Sequence, residues 1–459
     1  MATQTDVVES AKAASSGTWL EQWEPENAEF WRKTGSAIAW KTLTITTTTL
    51  VLSFATWFMM SAIVVRLPSI GFKYDTMQLF WLAAMPGLAG GTLRILHTFL
   101  IPIFGSRHVI TVATLLKLFP CLGIGLAVMN PDTPFWVFML LAFAAGFGGG
   151  DFSSYMPSTS IFFPKRLQGT ALGIQAGIGN FGVSVAQFVT PWIISTAALS
   201  TFFGGPQTFV KDGKTSQIWL QNAAFCYIPL LLIMGVVAWI FIRSVPVKAS
   251  FKEQLDIFGN KHTWFCTITY IMTFGSFSGF AATFPLLINT VYGKFPEAPD
   301  PLKYAFLGPL IGSTFRVIAG PISDKYGGAI LTHIVGIGLI VLSLVMVFGG
   351  LLTPTSSEQF PDFVIVMLLI FLLTGVGNAS TFRQYPIIFS HSPRQAAGVI
   401  GWTAAVAAYG PFIFSLLIGW TIKHTGSAKP FFLSIVVFYL AATAINWWYY
   451  TRKGCEKPS

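Results

Sequence analysis

Twelve apolar runs, each long enough to cross a bilayer as a helix, alternate with short polar segments along the chain. They fall at 42–65, 76–101, 109–129, 135–160, 169–199, 222–242, 263–288, 303–322, 329–350, 363–389, 396–422 and 430–450. The longest polar interruptions lie near 200–221 and 243–262. The second, RSVPVKASFKEQLDIFGNKH, is charged and separates the sixth run from the seventh. The pattern predicts an all-α membrane protein of about twelve transmembrane helices in two six-helix bundles, residues 42–242 and 263–450. A cytoplasmic segment at 1–41 precedes them, a cytoplasmic linker at 243–262 joins them, and a cytoplasmic tail at 451–459 follows.

The two halves repeat one another. Arg94, in MPGLAGGTLRILHTFLIPIFG, and Arg316, in AFLGPLIGSTFRVIAGPISDKYGG, stand nearly half the chain apart. Each is followed at the same interval by a glycine, Gly105 after the first and Gly327 after the second. Gly169, Gly173 and Gly177 in the fifth run are spaced like Ala397, Gly401 and Ala405 in the eleventh. Small residues four apart form a flat stripe that lets helices cross closely and rock. GFGGGDFSS in the fourth run parallels GVGNASTFR in the tenth at a similar offset. Phe54 and Phe274 are related in the same way.

Composition narrows the function. Only 10% of the 459 residues are charged and 53% are hydrophobic, against about 25% charged in soluble domains. The net charge of +10 is dispersed among apolar runs, which speaks against nucleic acid. With both termini cytoplasmic, twice as many of the 28 Lys and Arg fall in cytoplasmic as in external segments, as the positive-inside rule requires. Residues 1–40 lack an apolar leader, so the N-terminus is expected to stay cytoplasmic. Cys121, Cys226, Cys266 and Cys455 have neither disulfide, redox nor metal spacing. No phosphate-binding loop, catalytic set or metal cluster is evident, so no enzyme activity and no cofactor are expected.

An arginine at mid-bilayer costs ~2.5–3.5 kcal/mol on insertion scales. Carrying it at equivalent places in both halves points to use. Guanidinium is permanently charged and grips planar oxyanions through a fork of donors. Arg94 and Arg316 are therefore candidates for an anion site between the bundles.

Gly320-Pro-Ile-Ser-Asp324-Lys325-Tyr-Gly327 resembles the G-x-x-x-D-[RK]-x-G signature of the major facilitator superfamily. The first-half counterpart, Ile101-Pro-Ile-Phe-Gly105-Ser-Arg107, keeps the glycine and a base but lacks the acid. WEPENAEFW, GFGGGDFSSYMPSTSIFFPKRLQGTALGIQAGIGNFG and GVGNASTFRQYPIIF resemble the NarK-type nitrate/nitrite porters, a branch of that superfamily, over nearly the whole length. The resemblance implies a nitrate or nitrite held between Arg94 and Arg316. It implies aromatic walls from Phe54, Phe152, Tyr270 and Phe274, and a polar ligand in Asn180. Nitrate is flat and monovalent, so arginine forks with aromatic faces suit it, and Tyr270 and Asn180 add donors.

Asp151 and Arg383 depart from the family pattern. The economical expectation is an ion pair between them across the two halves, since isolated intramembrane charges are costly. Asp151 titrating to couple protons is the alternative. Lys117 has no evident partner and is expected to snorkel; His97, one turn from Arg94, is expected to pack. The function expected is nitrate/nitrite exchange by alternating access, in a multi-pass, monomeric protein of the cell (inner) membrane. Nitrate/proton symport, a nitrate-sensing receptor without turnover and a carrier for another small anion stand as alternatives.

Overall fold

Among the described residues, twelve helices are long and apolar enough to cross a membrane. They are α1 (Ala28–Ile63), α2 (Thr76–Thr98), α3 (Ile103–Ala127), α4 (Phe135–Phe162), α5 (Lys165–Ile193), α6 (Asn222–Phe241), α7 (Lys261–Tyr292), α8 (Pro301–Tyr326), α9 (Gly328–Phe348), α10 (Ser357–Ile388), α11 (Gly398–Thr425) and α12 (Lys429–Thr451). This computed structural model describes residues 18–197, 204–211, 214–245 and 252–459.

The first helix starts well before its apolar run. Asn27 caps it, its Oδ1 accepting from the N–H groups of Glu29 and Phe30 at 3.0 and 3.2 Å, and Lys33 pairs with Glu29 one turn on. Local capping and an i,i+4 pair thus carry helix into a stretch too polar to count as membrane-spanning. The segment 200–221 also holds more than a loop. A hairpin of β1 (Gln207–Lys211) and β2 (Lys214–Ile218) pairs antiparallel there.

The repeat is visible in the backbone. Between α2 and α3 the chain breaks at Gly105 (φ 77°, ψ 158°), and between α8 and α9 at Gly327 (φ 91°, ψ 137°). Both conformations are open to glycine and strained for other residues. In the second half, Asp324 of the signature forms an ion pair with Arg383 on α10. In the first half, which lacks that acid, the N-terminal segment fills the place. Thr18 Oγ1 accepts from Arg107 at 3.5 Å, Trp19 bridges Ser244, and Arg107 lies over the Trp239 ring at 4.4 Å.

The halves meet most tightly on the side away from the termini. There a Cβ on Gly87 would lie 2.5 Å from the Phe412 backbone, and Ser184 Oγ donates to the Phe306 carbonyl at 3.0 Å. Arg66, after α1, spans to Asp300, before α8, at 2.7 and 2.8 Å, with Phe209 of the hairpin against its guanidinium. On the side of the termini, α5 and α8 part: a Cβ on Gly173 or Gly320 would meet nothing within 4 Å.

Of the predicted small-residue stripes, Gly177 faces the other half closely, 2.7 Å from Val317. Gly401 makes ordinary contact with Thr98, and Ala405 is buried. The surroundings of Gly169 and Ala397 lie outside the described residues. The crossings that admit only glycine are elsewhere, notably Gly312 against Gly375, where a Cβ would meet a carbonyl at 2.1 Å.

Candidate functional site

Three helix irregularities shape the centre. α4 is interrupted at Gly146 and at Asp151, between the helical pieces Phe135–Ala145, Phe147–Gly150 and Phe152–Phe162. α7 carries a π-turn over Ile271–Gly275, which sets Tyr270 and Phe274 on its edges. Such turns commonly mark functional positions. α11 changes direction at Ala408–Tyr409.

Arg94 is fully buried and Arg316 is 6% exposed. Arg94 donates from Nε to the Gly149 carbonyl beside the α4 break and from Nη1 to the Ala404 carbonyl of α11, both at 2.8 Å. It is therefore tied to its own half and to the other. Its Nη2 has no partner, and neither has Nη1 of Arg316. Among the described residues, no carboxylate forms an ion pair with either group.

Aromatic rings line the space between them. The Arg94 guanidinium lies 4.8 Å from the Phe152 centroid, 5.2 Å from Trp57, 5.3 Å from Phe274 and 5.9 Å from Phe54. Arg316 lies 5.1 Å from Phe382 and 6.0 Å from the same Phe274 ring. Tyr270 stacks between Phe274 and Phe382, at 5.4 and 4.7 Å. The structure thus brings Arg94, Arg316, Phe54, Phe152, Tyr270 and Phe274 together. Asn180 sits on the face of α5 turned to α8, between Gly177 and Ser184, fully buried with both amide atoms unpartnered. Trp57 and Phe382 join the site without having been singled out in the sequence, since each is one aromatic ring among many.

The expected Asp151–Arg383 pair does not form. Asp151 pairs instead with Lys117 of α3 inside its own half. Its Oδ2 also accepts from Ser53 of α1 at 2.6 Å, while Arg383 takes Asp324. Lys117 does not snorkel: it is fully buried and also donates to the Ala113 carbonyl at 2.8 Å. The reason is geometric. Asp151 faces α1 and α3, where Ser53 and the ammonium of Lys117 on its long stem reach it. His97 Nδ1 is 2.7 Å from Ser154 Oγ and 4.0 Å from Asp151, so it belongs to this polar layer behind the site.

A sequence profile described as the Major Facilitator Superfamily matches residues 45–401. The chain is 61% identical to the "Probable nitrate/nitrite antiporter NarK2" of Thermus thermophilus, over 97% of this chain and 99% of that protein. It is 37% identical to the "Nitrate/nitrite transporter NarU" of Escherichia coli K12, over 95% and 96%. Among solved structures, a bacterial homologue of the human lysosomal transporter Spinster in an inward-facing, unoccupied conformation aligns with a TM-score of 0.63. That alignment has 14% identity over 89% of this chain and 96% of that one. The nucleoside transporter NupG aligns at 0.58 with 12% identity, over 89% and 98%. These last two establish the fold alone. The chain is a multi-pass membrane transporter that belongs to the NarK-type nitrate/nitrite porters of the major facilitator superfamily.

Proposed function

We propose that the protein exchanges nitrate for nitrite across the cell (inner) membrane as a monomer, with both termini cytoplasmic, by rocking its two halves about the central site. One observation carries this reading: two buried arginines, one from each half, share the ring of Phe274 and each keep an unpartnered nitrogen. An anion between Nη2 of Arg94 and Nη1 of Arg316 supplies the missing acceptors and the missing negative charge at once. Phe54, Phe152, Tyr270 and Phe274 exclude water around it, and Asn180 adds a donor.

The site carries two positive charges and no counter-charge of its own, because Asp151 is taken by Lys117. The guanidinium carbons are at most about 11 Å apart through the shared ring. At an effective dielectric near 20, that repulsion is about 1.5 kcal/mol or more. Crossing between the two access states brings these charges closer, and without an anion between them the added repulsion raises the barrier. Nitrate and nitrite carry the same charge, so either supports the crossing and exchange is electroneutral. The Arg66–Asp300 bridge then latches the external side, leaving the cytoplasmic side of α5 and α8 apart.

Labelled nitrate uptake into proteoliposomes loaded with nitrite, set against formate, oxalate or phosphate inside, tests the reading. Saturable uptake with internal nitrite supports it. Nitrate binding with no uptake would favour the receptor, and uptake driven equally by another internal anion would favour a broader carrier.

A further inference from the structure

We infer that Asn378 forms a second amide subsite of the anion pocket, on the half opposite Asn180, and that it favours the three-oxygen anion over the two-oxygen one. This rests on the transport reading above. Among the buried side-chain amides described, Asn180 and Asn378 alone have both the nitrogen and the oxygen unpartnered. Gln175, Gln187, Asn222 and Asn446 each donate to a neighbour. A fully buried amide with neither atom paired is costly in an apolar interior and points to a ligand.

Its depth matches that of Arg316. α8 and α10 touch at Gly308 against Phe371 and at Gly312 against Gly375, in the same register each time. One turn further, that register sets Arg316 beside residues 378–379. Phe382, four residues on and so on the same face of α10, holds the Arg316 guanidinium at 5.1 Å. Gly377 packs on Thr273, the neighbour of Phe274.

The chemistry follows from oxygen count. Both anions are monovalent, so charge does not separate them. Two guanidinium groups and Asn180 satisfy a bent two-oxygen anion. A trigonal anion presents a third oxygen in the same plane, and Asn378 Nδ2–H is the donor available to it on the C-terminal half.

The test uses the whole protein in proteoliposomes, measuring KM for external nitrate and for external nitrite against a fixed internal nitrite load. In Asn378→Leu, the nitrate KM is expected to rise about tenfold, since a hydrogen bond to a charged group is lost. The nitrite KM should rise by less, so that the ratio of nitrate KM to nitrite KM increases. Equal changes in the two KM values, or none, would overturn the inference. If the leucine variant does not fold, Asn378→Ala and Asn378→Ser are compared: serine, which still donates, should keep more of the nitrate preference than alanine, and identical ratios would overturn it. Failure of the unaltered protein to exchange the two anions would instead sink the transport reading itself.

Discussion

Lys117 and Asp151 are paired inside one half of the molecule, on α3 and α4, behind the arginine that faces the other half. Rocking the halves does not separate them. Asp151 stands at the α4 interruption, between Gly149, whose carbonyl accepts from Arg94, and Phe152, whose ring faces its guanidinium. Breaking a buried pair from one side strands a charge and costs ~3–5 kcal/mol, whereas removing both partners is far milder. Asp151→Asn and Lys117→Met are each expected to lower the unfolding temperature of the detergent-solubilised protein sharply. The double variant should recover most of the loss. Combining Asp151→Asn with Arg383→Gln should instead add two separate losses; recovery in that double variant would restore the cross-half pair that the structure rejects.

The arginines should not tolerate lysine. Arg94 spends two nitrogens on the Gly149 and Ala404 carbonyls and keeps a third free, a division that an ammonium on a different stem does not reproduce. Arg94→Lys and Arg316→Lys are expected to reduce nitrate flux by at least about a hundredfold at matched membrane levels, as lost bidentate contacts of ~1.5–3 kcal/mol each imply. Flux within a few-fold of the unaltered protein in either variant would remove that residue from the site.

The two hinge glycines should differ in sensitivity. Both have positive φ, so alanine costs ~1–2 kcal/mol at either. At Gly105 a Cβ would also meet Ser244 Oγ at 2.4 Å and Trp19 at 2.9 Å, while at Gly327 its nearest neighbour is 3.5 Å away. Thermal unfolding of Gly105→Ala is therefore expected at a clearly lower temperature than that of Gly327→Ala. The reverse order would mean that the N-terminal segment does not press on the first-half turn.

Much of this was legible in the sequence because membrane spans and repeats are written in periodicity. The twelve runs, the Arg94–Arg316 spacing and the glycine that follows each arginine, Gly105 and Gly327, all have structural counterparts. Pairing among buried charges was not legible. Asp151 could reach Lys117 or Arg383 by composition alone, and only the packing of α4 against α1 and α3 decides which it meets. The helical start at Ala28 was hidden in a polar segment, and the close helix crossings were hidden because the sequence does not show which of its many glycines touch another backbone. Asn378 was invisible for a different reason. An unpartnered amide is defined by what surrounds it, and a linear sequence does not show surroundings.

The central claim is that the halves pass one another only with an anion between Arg94 and Arg316. It is tested most directly by nitrate uptake into proteoliposomes under an imposed pH gradient, with internal nitrite or with none, while internal pH is followed. Exchange predicts one nitrite lost per nitrate gained, no proton movement, and clearly slower uptake when the vesicles hold no internal anion substrate. Fast uptake into vesicles without internal nitrite, driven by the proton gradient and accompanied by proton entry, would contradict the account and make the protein a proton symporter.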